Sequence, residues 1–198
     1  MDLMIRRAQK GDKEAFIKLI EKYTQDMYKV AKSRLNSEED IGDAIQETIL
    51  SAYKNICVLK NTSYFKTWLI RILINKCNDI ITNNKKVVYV EEYYEGSINN
   101  EILEDEDNFE NNIAFREILK NLSESYRTVV VLYYVNGFNT REISEILNEK
   151  EGTIKSRLSR AREKLKNFYL DDNKNFSELY LGGSAKWRLI LIKKWKMN

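Results

Sequence analysis

The sequence predicts an all-α chain: two small helical domains joined by a flexible acidic linker. Three observations point that way. None of the 198 residues is proline, the residue that most strongly breaks helices. Apolar residues recur at spacings of three and four in two blocks, and the period fades between them. Charge is also segregated. Residues 91–110 carry nine acids and no base, whereas residues 150–166 carry seven Lys or Arg against two Glu. The expected organisation is a first domain over 1–83, a linker over 84–110, a second domain over 111–170 and a basic tail of unknown role over 171–198.

The first block begins with a short helix capped by Asp2 and ended near Gly11. Asp12 is a natural N-cap for the second helix, with Glu14 in its first turn. Phe16, Leu19, Ile20, Tyr23, Met27, Val30 and Ala31 then keep the helical period. Asn36 or Ser37 caps a third helix bearing Ile41, Ala44, Ile45, Ile49, Ala52 and Ile56. After the polar break at Lys60-Asn61-Thr62-Ser63, Ser63 is the expected cap of a fourth helix running from Tyr64 to Ile81. In the second block, Ile113, Ile118, Leu119 and Leu122 are periodic. Ser123 caps a helix carrying Tyr126, Val129, Val130 and Tyr133, which Gly137 ends. Asn139 with Glu142 forms an Asn variant of the capping box for the next helix.

Composition narrows the chemistry. With 43% hydrophobic residues the chain can fold, and with 32% charged residues its cores are modest. The net charge of +3 alone does not point to nucleic acid. There is no histidine, which excludes histidine acid–base catalysis. The only cysteines are Cys57 and Cys77, so neither a disulfide scaffold nor a His/Cys zinc site is expected. Both cysteines sit in apolar helical patterns and read as buried thiols in a reducing cytoplasm. Met1 to Arg7 contains no apolar signal-peptide core, and no run of 18 apolar residues exists. The expectation is a cytoplasmic chain without direct membrane insertion.

The segment 139–165 is the most informative. Ile154, Leu158, Ala161 and Leu165 share one narrow helical stripe, and Ser156, Ser159, Arg160 and Glu163 lie opposite, flanked by Lys155 and Arg157. A solvated surface, a membrane-surface helix and a nucleic-acid reader all fit a cationic amphipathic helix. The preceding helix favours the reader, because Ile143, Ile146 and Leu147 supply a facing apolar side and Asn148 tolerates a left-handed turn. A membrane helix would want a broader apolar face. The pattern is that of a helix-turn-helix unit, with two small serines on the face that would approach base edges.

Two other polar faces stand out. Asp43 and Glu47 are four residues apart on one side of the third helix, with Gln46 adjacent. Like charges at that spacing repel slightly, so the face suits either solvent or a positive partner. A metal-dependent nuclease would need acids converging from several elements, and only one helix supplies them here. On the fourth helix, Phe65, Trp68, Leu69 and Ile72 form an inward stripe. Thr67, Arg71, Asn75 and Asn78 form a polar one, suited either to a polar groove or to exposed bases.

Taken together, these strings resemble the extracytoplasmic-function (ECF) sigma factors of bacterial RNA polymerase. The resemblance covers residues 3–168. It rests on Arg7 to Phe16, on Asp43-Ala44-Ile45-Gln46-Glu47-Thr48, on Phe65 to Ile72, and on Gly152 to Arg157 with Arg160-Ala161-Arg162. The resemblance implies a non-catalytic adaptor with no cofactor that binds bacterial core RNA polymerase and promoter DNA, and an anti-sigma factor that restrains it. Asp43, Gln46 and Glu47 would face the polymerase clamp. Asn61, Thr62, Ser63, Thr67, Arg71 and Asn75 would read the −10 element. Lys155, Ser156, Arg157, Ser159 and Arg160 would read the −35 element. Asn148 stands where many such turns carry Gly, and residues 171–198 match nothing in the pattern. A stand-alone helix-turn-helix regulator is the rival reading; it leaves the acidic helix and the Thr67 to Asn78 stripe without a task.

Overall fold

The computed structural model describes residues 1–87, 119 and 121–172, with side chains omitted for 85–87 and 166–172. The described residues form helices and no strand: α1 (Asp2–Gln9), α2 (Lys13–Lys32), α3 (Glu38–Asn55), α4 (Phe65–Val87), α5 (Glu124–Val130), α6 (Thr140–Leu147) and α7 (Glu151–Asp172). Single 3-10 turns at Ile56–Val58 and Thr62–Tyr64 connect α3 to α4. The linker expected over 84–110 lies mostly outside the described residues, as does nearly all of the 171–198 tail.

Local capping chemistry sets most boundaries. The Asp12 carboxylate accepts the Ala15 N–H at 3.0 Å, and Arg7 lies 2.6 Å from its other oxygen. Those two contacts, the backbone one foremost, hold the Asp12 carboxyl below its usual range. Gly11, at φ +90°, makes the turn between α1 and α2. Ser37, rather than Asn36, accepts the Asp40 N–H at the start of α3. Asn139 and Glu142 form the reciprocal capping box of α6, and Asn148 ends that helix in the left-handed region at φ 54°.

Several details depart from the sequence pattern. Asp2 is the first residue of α1 rather than its cap, and Ser123 holds the N-cap position of α5 without a capping side-chain bond. Asn61, not Ser63, supplies the capping oxygen before α4, accepting the Ser63 N–H at 3.0 Å. The helix also runs on to Val87. Asn84 donates to the Asp40 carboxylate at 3.1 Å, which ties these polar last turns to α3. Cys77 is buried but Cys57 is exposed. Cys57 falls in the tight turn after α3, where a period of three replaces 3.6 and only its neighbour Ile56 points inward. Finally, α5 passes into a π-type turn at Val131–Val135, marked by the Asn136 N–H bonding the Val131 carbonyl at 3.0 Å.

The core is continuous. Leu19, Met27, Ile41, Leu69, Leu73, Leu132, Ile143 and Ile154 all belong to one buried apolar cluster. α4 is central to it: Phe65, Leu69, Ile70, Leu73, Ile74 and Cys77 are each at most 3% exposed, so the helix is covered on two sides. α3 and α2 pack on it, and so does α6 from the second block. Polar bonds frame that last contact. Lys66 Nζ lies 2.8 Å from Asp26 and donates to the Asn136 carbonyl at 2.8 Å. Arg34 Nη2 lies 2.8 Å from Glu124 and donates to Asn78 at 2.7 Å.

Candidate functional site

Three surfaces carry the polar side chains singled out by the sequence. The first is on α3. Burial of Ile41, Ala44, Thr48 and Ala52 fixes the rotation of the helix, which leaves Asp43, Gln46 and Glu47 exposed. Lys76 of α4 reaches Glu47 at 3.4 Å, a long and exposed pair that is weakly held. One turn further along, Leu50 and Tyr53 are 52% and 45% exposed. Acids followed by large apolar groups on one stripe fit a protein partner better than plain solvent. Among the described residues no group of three or more His, Cys, Asp or Glu side chains could hold a metal ion.

The second surface joins the 56–64 segment to α4. Asn61 and Ser63 are exposed and Thr62 is partly so, and Arg71 and Asn75 project from α4 into solvent. Thr67 does not join them. It is 8% exposed, because the polar stripe lies at the border of the buried Ile70 and Ile74 row. Asn78 is engaged by Arg34. Trp68 is partly buried against the core, with its ring 5.9 Å from that of Phe65.

The third surface is α7. Ile154, Leu158 and Ala161 are buried, and Lys155, Ser156, Ser159 and Arg160 are exposed on other sides. The turn into α7 is tied by the Glu151 carboxylate, which accepts the Thr140 hydroxyl at 2.7 Å and lies 3.0 Å from Lys155. The Thr140 bond, then Lys155, lowers the Glu151 pKa. Arg157 stands apart from the other cations. Its two terminal nitrogens meet the two Glu149 oxygens at 2.8 Å each, a forked pair. Sequence spacing gave no sign of this pairing, nor of Arg34, Lys66 and Gln9 as tertiary anchors. Each meets a partner far away in the chain or across a turn, where helical periodicity is silent.

Residues 19–87 match the family model for Sigma-70 region 2, and residues 112–165 match that for Sigma-70, region 4. The ECF RNA polymerase sigma factor SigW of Bacillus subtilis (strain 168) is 32% identical over 181 residues, covering 84% of this chain and 97% of that one. The ECF RNA polymerase sigma-E factor of Haemophilus influenzae is 32% identical over 175 residues, covering 83% and 92%. The fold is similar to that of the sigma factor RpoE of Bartonella quintana, solved in complex with the anti-sigma factor NepR. That match has a TM-score of 0.67 at 24% identity and covers 79% of this chain and 98% of that one. The class is therefore that of sigma-70-type transcription initiation factors. Within it, this chain belongs to the ECF RNA polymerase sigma factors. No helix among the described residues is long and apolar enough to cross a membrane.

Proposed function

We propose that this chain recruits bacterial core RNA polymerase to promoters through the three surfaces just described, working in the cytoplasm without catalytic residues of its own. Residues 1–87 form the polymerase- and −10-binding domain, since α4 runs to Val87 and not only to 83; the linker follows it to residue 110, and 111–170 form the −35-binding domain. Asp43, Gln46 and Glu47 meet a basic helical surface of the polymerase clamp. Asn61, Thr62, Ser63, Arg71 and Asn75 receive the melted −10 strand, while Thr67 supports that face from beneath. Lys155, Ser156, Ser159 and Arg160 enter the −35 major groove, and Arg157, anchored by Glu149, adds positive charge beside the phosphates. An anti-sigma factor is the expected restraint, as NepR is a partner of the Bartonella protein.

The observation that carries this reading is the pairing of an exposed acidic and apolar α3 stripe with an exposed cationic α7 face in one chain. A stand-alone regulator needs only the second. Reconstitution with purified core polymerase decides between them. Replacing Asp43 and Glu47 with Lys is expected to abolish holoenzyme assembly while the fold stays intact; normal assembly refutes the clamp contact. Arg160→Ala is expected to weaken −35 binding by about 1–3 kcal/mol, and an unchanged footprint removes it from the reader.

A further inference from the structure

The short helix α1 buries Ile5 and Ala8 in the core, and its polar side is aimed at the 56–64 segment. Gln9, the last residue of α1, donates through one amide nitrogen to two carbonyls, Ile56 at 3.0 Å and Leu59 at 2.7 Å. Near the other end of α1, the Thr62 hydroxyl donates to the Asp2 carboxylate, which Arg6 also contacts at 3.0 Å. Between these points Ile56 is buried and Leu59 packs against the core, but the backbone that joins them has few bonds of its own. It consists of two single 3-10 turns, whose hydrogen bonds are poorly aligned, and Val58 and Tyr64 are exposed.

We infer that α1 is a brace for the −10-reading loop, with Gln9 as a positioning residue and Asp2 as its second anchor. The inference rests on the function proposed above. Extruding a base from its stack costs a few kcal/mol, and a receiving loop that had to order itself at the same moment would add its own entropy cost. Two carbonyls fixed by one side chain remove that cost in advance. Asn61 commits its oxygen to the Ser63 N–H and meets the base through its amide donors.

The test is transcription by reconstituted holoenzyme from a linear duplex library randomised at both promoter elements, with the transcripts sequenced. Gln9→Met keeps the side-chain length and loses the donor. It is expected to lower selectivity at the most discriminating −10 position about fivefold, the size of one lost hydrogen bond, while the −35 ranking stays as in the wild type and the thermal midpoint falls by no more than a few degrees. Gln9→Asn is polar but one methylene too short to span both carbonyls, and it is expected to show the same loss confined to the −10 element. Gln9→Lys restores a donor and is expected to recover most of the selectivity. An unaltered −10 ranking in both Gln9→Met and Gln9→Asn overturns the brace, as does an equal loss at both elements. A wild-type protein that confers no start-site choice defeats the sigma reading itself, which is a different result.

Discussion

Glu124→Gln tests whether the two helical blocks hold each other as the structure has them. Arg34 keeps only 13% of its side chain exposed and meets Glu124 at 2.8 Å, Asn78 at 2.7 Å and the Thr128 hydroxyl at 3.5 Å. Its Nε is buried without a hydrogen-bond partner. Stripping one member from a fully buried pair costs about 3–5 kcal/mol. The Glu124 side chain is 43% exposed, so water recovers much of that, and the expected loss is roughly 1–2 kcal/mol. Arg34→Met keeps the apolar stem and removes the charge that Glu124 neutralises. The double variant should therefore be less destabilised than the sum of the singles, with a coupling of about 1 kcal/mol or more. Urea unfolding of the four proteins measures it. A coupling below about 0.3 kcal/mol, the scatter expected of independent sites, would mean that Arg34, just after α2, and Glu124, at the start of α5, are not in contact in solution and would refute the reasoning.

Burial, opposed only in part by the Arg34 charge, pushes the Cys77 thiol up from 9.0 to about 11. The folded chain thus keeps this thiol protonated where the unfolded chain releases the proton. The associated stability is intact below pH 9 and is lost as pH rises towards 11, by about 2–3 kcal/mol. The difference in unfolding free energy between wild type and Cys77→Ala should shrink by that amount from pH 8 to pH 11, and a constant difference would contradict the shift. In native protein at pH 8, a thiol reagent should label exposed Cys57 and spare Cys77, as peptide mapping can check. Asn139→Ala removes one half of the α6 capping box and should cost about 1 kcal/mol, seen as a lower thermal midpoint, whereas Asn139→Asp should hold close to the wild-type value.

Features legible in the sequence were those decided within one or two helical turns. Asp12, Ser37 and the Asn139–Glu142 pair could be read because a capping oxygen and the N–H that donates to it lie three residues apart. Asn148 could be read because few side chains tolerate a left-handed turn. The exposed sets on α3 and α7 followed from apolar stripes opposite them. Thr67 was less legible. A stripe drawn on one helix says which residues share a side, but not whether its edge is covered, and Thr67 is 8% exposed. The same blindness hid Gln9, whose acceptors lie 47 and 50 residues away. It also hid Lys66, whose acceptor at Asn136 is 70 residues away.

The covering of α4 has a consequence for promoter binding. Elements centred near −35 and −10 are about 25 base pairs apart, or roughly 85 Å at 3.4 Å per pair. A compact body of this many residues is only about 35–40 Å across, so packed blocks cannot seat α7 in one element and α4 in the other. On the proposed assignment of α4 and α7 to the two elements, the contact between α4 and α6 has to open on the promoter. Its frame suits opening: Arg34, Glu124, Lys66 and Asp26 are groups that water can resolvate, and the Glu124 and Lys66 ends are already partly exposed. Reach is sufficient, since the 31 residues numbered 88–118 could span about 100 Å when extended. Fluorescent labels on the exposed faces of α3 and α7 should be close in the free protein and move apart by several tens of ångströms in promoter-bound holoenzyme. An unchanged separation in an initiating complex would show that one of the two DNA surfaces has been assigned to the wrong helix.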